Sequence, residues 1–359
     1  MQRVLFITAV VAFVVSVFCY EKISDDQVRA LVKDFPTEKY LDPGDKDGYL
    51  EPILKVRLPG TQNSSDVRNH FNSFFKGLKG DWKIDLDEFQ DDTPIEKNVS
   101  FTNFIATRDP PGVDPANARR LVLAAHYDSK LEPEGFIGAI DSAVPCAIIM
   151  YIARALDEAI TKTWQKDKNK DLGIQIVLLD GEEAFKEWTD TDSIYGARYL
   201  AEKMEANVQS GPKRRTELDT IDAFVLLDLL GSPDPAIPSY FRNTDWMHRS
   251  LVDVEKRASK LGFTKTKHNG DHAYFPRPAT FEYGGRIGDD HLPFLHRGVP
   301  VLHLIPLQFP DVWHDITDDA EHLDQDTIHD WAVILTTFTA EYLELGKYMH
   351  AVESRRNNL

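Results

Sequence analysis

The sequence predicts an α/β protein: a single globular domain with a central, twisted, mostly parallel mixed sheet and helices on both faces. Two observations carry this. Four near-continuous apolar runs of strand length alternate with longer amphipathic or apolar stretches of helical period, the pattern of strands buried on both faces. Ahead of them, two segments alternate polar and apolar residues, as an antiparallel pair with one wet face does.

The elements follow in order. Arg3 precedes an apolar run from Val4 to Cys19, and the acidic "YEKISDD" follows. This reads as a secretory signal peptide over residues 1–19, with a signal anchor as the alternative. Residues 20–359 then form the folded domain. "DQVRALVKDF" and "SDVRNHFNSFFKGL" are amphipathic helices, and "DWKIDLDEF" and "SFTNFIATR" are the antiparallel pair. After them the chain alternates strand and helix. "RLVLAAHYD" leads to "AVPCAIIMYIARALDEAI", "GIQIVLLDG" to "SIYGARYLAEKMEANV", and "AFVLLDLLG" to "TDWMHRSLVDVEKRASKLG". "GVPVLHLIP" is the last strand, and a long helix begins at about Thr327. No repeat or low-complexity linker divides the chain.

A net charge of -17 over 359 residues, with no concentrated basic face, excludes a nucleic-acid partner. Lys213-Arg214-Arg215 is a short basic knot, read as a solvated loop. The sequons Asn63-Ser64-Ser65 and Asn98-Val99-Ser100 suit a secretory route. Of two cysteines, Cys19 leaves with the signal, and Cys146, at the start of an apolar helix, reads as a buried inert thiol.

Chemistry collects where the predicted strands end, the place where open parallel sheets bind ligands. The first strand runs into His126-Tyr127-Asp128-Ser129, the second into Asp180-Gly181-Glu182-Glu183, and the third carries Asp228; His314 follows the fourth. Asp141 lies between the first strand and its helix. Singly, Asp141 reads as a helix cap, Asp228 as a partnered strand-end acid and His314 as a loop histidine. Together they offer the mixture of carboxylate and imidazole that zinc takes at a catalytic site. Glu182 and Glu183, side by side, repel each other unless a metal or a proton holds one of them.

These residues carry a resemblance. "HYDS", "IDSA", "DGEE", the Asp228 strand and "DDHLPF" resemble, in the same order, the zinc aminopeptidase clan over nearly the whole mature chain. Within the clan the chain is most similar to the glutaminyl cyclases, through "AAHYDSK", "DSAVPCA", "LLDGEEAF", "VLLDLLG", "DDHLPFLHRGVPVLHLIP" and "FPDVWH". The resemblance implies one zinc per chain, held by Asp141, Glu183 and His314, with Glu182 as the acid/base. It further implies an apolar substrate slot shaped by Trp188, Ile287, Phe309 and Trp313; core packing is the alternative for Phe309. The implied substrates are peptides or proteins with N-terminal Gln, with N-terminal Glu a candidate second substrate. Also expected are a secreted monomer without stable membrane contact once the signal is removed, and Golgi retention as the alternative.

Asp289 separates the enzymatic readings. Aminopeptidases of the clan typically have Ser before the Asp-His of this motif, whereas this chain has Asp289-Asp290-His291. In the cyclases that acid pairs with the counterpart of Asp228, and two carboxyls in contact share a proton. Such a pair is a poor metal ligand, the physical reason to expect one zinc although His126 and Asp228 keep the types of second-site ligands. The rival readings are a two-zinc aminopeptidase, which the ligand set suits and Asp289 opposes, and an inactive binding protein of the same fold. The chain departs from the secreted cyclases at Ala125, where the partner of the "VPC" cysteine often stands, at Gly288, where a larger polar residue is common, and in a short segment between His126 and Asp141.

Overall fold

The computed structural model describes residues 21–351, apart from 116, 169, 210–214, 267–273, 277–278 and 282–285. The expected signal peptide, Cys19 and most of the basic knot, Lys213 and Arg214, lie outside the described residues.

Two longer helices open the fold, α1 (Asp25–Asp34) and α2 (Gln62–Gly77), with a single helical turn, Thr37–Tyr40, between them. Ser24 starts α1 with a reciprocal cap, its hydroxyl accepting the Gln27 N–H while the Gln27 side chain takes the Ser24 N–H. Strands β1 (Lys83–Asp91) and β2 (Val99–Arg108) form the antiparallel pair, in register from Lys83 opposite Thr107 to Asp91 opposite Val99. The alternating part follows: β3 (Arg119–His126), α3 (Val144–Lys166), β4 (Leu172–Leu179), α4 (Tyr195–Ala206), β5 (Ile221–Leu227), α5 (Asp245–Lys260), β6 (Val301–Leu304) and α6 (Gln325–Tyr342).

These six strands make one sheet in the order β1-β2-β4-β3-β5-β6, and Val208–Gln209 and Arg215–Thr216 form a separate short pair. β4, β3, β5 and β6 are mutually parallel, and β2 joins β4 antiparallel. The sheet is therefore mixed, with a parallel core and an antiparallel edge. From β3 the chain crosses to β4 on one side, then passes back to β5 on the other. Such a reversal opens a crevice at the carboxyl ends of the strands.

Strand alternation divides the core. Leu121, Leu123 and Ala125 of β3 pack with α3 and α6 on one face, whereas Val122 and Ala124 pack with Ala197, Leu200 and Met204 of α4 on the other. Burying each large apolar side chain contributes about 1.5–3 kcal/mol, so both faces hold the strand ends in place. The helix over Ala139–Lys166 is long and apolar enough to cross a membrane, but 94% of its most apolar window is buried inside the fold. Its apolarity is that of a core helix covering a parallel sheet.

Candidate active site

The crevice is built from the ends of β3, β4 and β5. Immediately past β3, the buried carboxylate of Asp128 accepts the Glu182 N–H on one oxygen (3.0 Å) and the Glu183 N–H on the other (3.2 Å). The turn after β4 is thereby fixed with both glutamates at the mouth of the sheet. Gly181 (φ +72°) allows this turn, because a Cβ there would lie 2.5 Å from the Phe101 ring.

Asp141 is not a helix cap. It sits in a kinked segment, Ala139–Ala143, with non-helical φ/ψ at Asp141 and Ser142, and the cap position of α3 is Ala143, without a side-chain cap bond. The kink turns the Asp141 side chain into the crevice. Its Oδ1 accepts from His126 Nε2 at 2.9 Å, and its Oδ2 lies 3.6 Å from His314 Nε2. His314 Nε2 is in turn 3.3 Å from Glu183 Oε1. Asp141 Oδ2 and Glu183 Oε1 are both buried without a hydrogen-bond partner. One ligand atom from each of Asp141, Glu183 and His314 falls within 4.8 Å of the others. Two orphaned carboxylate oxygens and an imidazole nitrogen turned to one point fit a divalent cation of zinc's preference. Lys130 Nζ occupies the other oxygen of Glu183 at 3.2 Å.

His126, Asp141 and Asp228 form a second group with ligand atoms at the same mutual spacing, and Asp289, His291 and His303 a third. Asp228 follows β5 directly. Its Oδ1 accepts from the Leu229 N–H at 2.9 Å and from the Ser142 hydroxyl, and lies 3.5 Å from His126 Nε2. Burial pushes Asp228 up, but His126 and Ser142 outweigh it and hold the carboxyl below its usual range. Asp289 is pushed well above that range by burial and by the charge of Asp228. Its Oδ2 is hydrogen-bonded to His303 Nε2 at 2.6 Å, and its Oδ1 accepts the Asp290 N–H at 2.6 Å. The hydrogen-bond partners of Asp289 thus come from β6 and its own segment, while those of Asp228 come from Leu229 and Ser142.

Glu182 is buried, and burial together with Glu183, Asp289 and Asp290 pushes its carboxyl well above the usual range against the pull of His126. Burial and the neighbouring Glu183 likewise bring Asp141 up to about 6. A carboxyl raised as that of Glu182 is can carry a proton near neutrality.

Glu182, Asp141, Asp228 and His314 open into a pocket of about 460 Å³, whose other walls include Trp188, Ile287, Gly288, Phe309, Trp313, Lys130 and Arg286. Trp313 stacks on His314 (ring centroids 4.0 Å apart), and Phe309 meets Trp313 edge-on at 4.7 Å. Trp188 leans on Gly288, where a Cβ would come within 2.8 Å of its Nε1. All ten residues singled out from the sequence as ligands, acids or slot residues therefore border one crevice or stand directly behind it, Asp289 and Glu183 being set back from the pocket wall. Cys146 is buried, its thiol pushed up to about 12 by burial and donating to the His126 carbonyl.

Sequence reasoning missed Asp128, Ser142, Lys130 and His303 as members of the site. One signal was available for His303, a lone polar residue inside the apolar run "VPVLHLIP".

The chain is similar to known proteins over most of its length. Residues 103–339 match peptidase family M28. A glutaminyl-peptide cyclotransferase-like protein of Bos taurus is 42% identical over 301 residues, 83% of this chain and 75% of that protein. The Bos taurus glutaminyl-peptide cyclotransferase is 42% identical over 302 residues, 82% of this chain and 81% of that protein. The crystal structure of Macrostomum lignano glutaminyl cyclase superposes with a TM-score of 0.78 at 36% identity, covering 90% of this chain and 95% of that one. The chain belongs to peptidase family M28 and, within it, to the glutaminyl-peptide cyclotransferases.

Proposed function

We propose that the chain is a zinc-dependent glutaminyl-peptide cyclotransferase, closing the N-terminal glutamine of peptides to pyroglutamate with release of ammonia. The observation that carries the site assignment is the convergence of Asp141 Oδ2, Glu183 Oε1 and His314 Nε2, two of them buried and otherwise unpartnered, beside a raised carboxyl at Glu182. Asp141, Glu183 and His314 would hold one zinc ion. Bound there, zinc supplies Lewis-acid polarisation of the substrate's side-chain amide carbonyl.

The chain's own residues do the rest. Glu182 takes the proton from the attacking α-amine as the new C–N bond forms, and delivers it to the side-chain amide nitrogen, which leaves as ammonia when the old C–N bond breaks. Asp228, held by Ser142 and Leu229 on the pocket wall, receives the amine and orients it toward the amide. Asp289 stands behind it. Trp188, Ile287, Phe309 and Trp313 enclose the glutamine side chain, exclude water and hold amine and amide at reacting distance; ring closure is intramolecular, so this positioning is a large part of the work. Entry through a signal peptide and function in the secretory pathway complete the reading, motivated by the segment before Tyr20.

The test is direct. The purified protein is incubated with a peptide beginning with Gln, and its mass is followed. Cyclisation loses one ammonia and keeps every residue; removal of the first residue instead would make the chain an aminopeptidase.

A further inference from the structure

The fully buried side chain of Arg57 has no role in the chemistry above. A guanidinium taken out of water is costly unless every N–H finds an acceptor. Here five N–H groups meet five carbonyls. Nε donates to Tyr127, Nη1 to Ile137 and (3.3 Å) to Lys55, and Nη2 to Gly138 (3.0 Å) and to Asp141 (3.4 Å). The Arg57 backbone N–H adds a bond to Ser129 Oγ at 3.0 Å.

These acceptors are not scattered. Tyr127 and Ser129 belong to the segment leaving β3, and Ile137, Gly138 and Asp141 to the turn that presents Asp141. That turn is irregular: Gly138 has φ +52°, and a Cβ on it would lie 2.0 Å from the Asp141 carbonyl oxygen. Its own helix-type bonds are the π-type ones from the Ala143 N–H to the Gly138 carbonyl (3.2 Å) and from the Val144 N–H to the Ala139 carbonyl, and Arg57 supplies donors to the Ile137, Gly138 and Asp141 carbonyls. The N–H side of the same turn is held from elsewhere. Asp318 accepts the Ile140 N–H on Oδ1 (2.8 Å) and the Ala139 N–H on its backbone carbonyl (3.1 Å). Asp318 is buried and lies four residues beyond His314. The turn carrying one metal-binding candidate is thus fastened both to the β3 end and to the segment carrying another.

We propose that Arg57 and Asp318 form a clamp of positioning residues that fixes the Gly138–Asp141 turn and so aims Asp141 at the metal in step with His314. This rests on the reading of Asp141 as a zinc ligand. The clamp acts on ligand geometry, so its loss weakens zinc binding even where the fold survives. Groups that orient ligands in this way typically contribute 10- to 100-fold in metal affinity.

The test is zinc affinity of the folded protein, measured by competition with a chromophoric chelator, beside the thermal midpoint of the metal-free form. Arg57→Lys keeps the charge but cannot reach five carbonyls, and Asp318→Ala removes the Ile140 acceptor. The expected result is about a 10- to 100-fold loss of zinc affinity in each, with faster hydrogen exchange over 137–143. If Arg57→Lys does not fold, Asp318→Ala decides. Unchanged zinc affinity in folded variants, with only the thermal midpoint lowered, would make both residues merely structural and overturn the clamp. Asp141→Ala is the control: if it too binds zinc normally, the ligand assignment itself has failed; if it loses zinc while the clamp variants do not, only the clamp has.

Discussion

His303 Nε2 and Asp289 Oδ2 lie 2.6 Å apart, and both side chains are buried. A strand of the parallel core therefore holds the acid that stands where aminopeptidases of the clan typically have Ser. Asp228, whose charge helps to raise Asp289, shares with His126 and Asp141 the spacing of a metal site. Replacing Asp289 with Ser removes a carboxyl beside Asp228 and the hydrogen-bond partner of His303 Nε2. Two changes are expected: a lower cyclisation rate, and a second, weaker zinc equivalent in a zinc titration. An unchanged rate with unchanged stoichiometry would make Asp289 a bystander.

Glu182→Gln is isosteric and leaves its backbone N–H on Asp128. It cannot accept the amine proton, so turnover is expected to fall about 10²- to 10⁴-fold. Zinc content measured on the same sample should stay at the wild-type value. Near-normal turnover would remove Glu182 from the role of base.

One zinc per chain is expected by elemental analysis, lost with activity on chelation and restored by added zinc. Asp141→Ala or His314→Ala each removes one of three protein ligands and should weaken zinc binding strongly. Two tightly bound zinc ions in the wild type would instead favour the aminopeptidase reading.

The fold was legible because its signals are local. Apolar strands of "RLVLAAH" type and their intervening helices declare a covered parallel core through composition and length alone, and the structure has them in the expected order. The residue types of the site were also legible, since acids and histidines directly after apolar strands have few other reasons to gather. What sequence could not reveal was the support. Arg57 lies 84 residues from Asp141, and the Ser142–Asp228 and His303–Asp289 bonds join segments that only the sheet order brings together. Asp141 shows the same limit: an Asp just before an apolar helix reads as a cap, and only the kink at Asp141 and Ser142 turns it into the crevice.

Gly288 is expected to act through Trp188. The indole lies against Gly288, with Nε1 only 2.8 Å from where a Cβ would be, and both residues line the pocket. Trp188 is 43% exposed, so it can swing away rather than break the fold. Gly288→Ala should therefore displace the indole from the substrate wall, raising KM for a Gln-peptide with a smaller effect on kcat. Because Asp289 is adjacent, a backbone effect on that acid is the competing cause, and a double-mutant cycle separates the two. If the indole carries the effect, Gly288→Ala should change little in a Trp188→Ala background, giving a coupling of about 1 kcal/mol. An equal rise in KM in both backgrounds would show that the methyl group acts through the Asp289 segment instead.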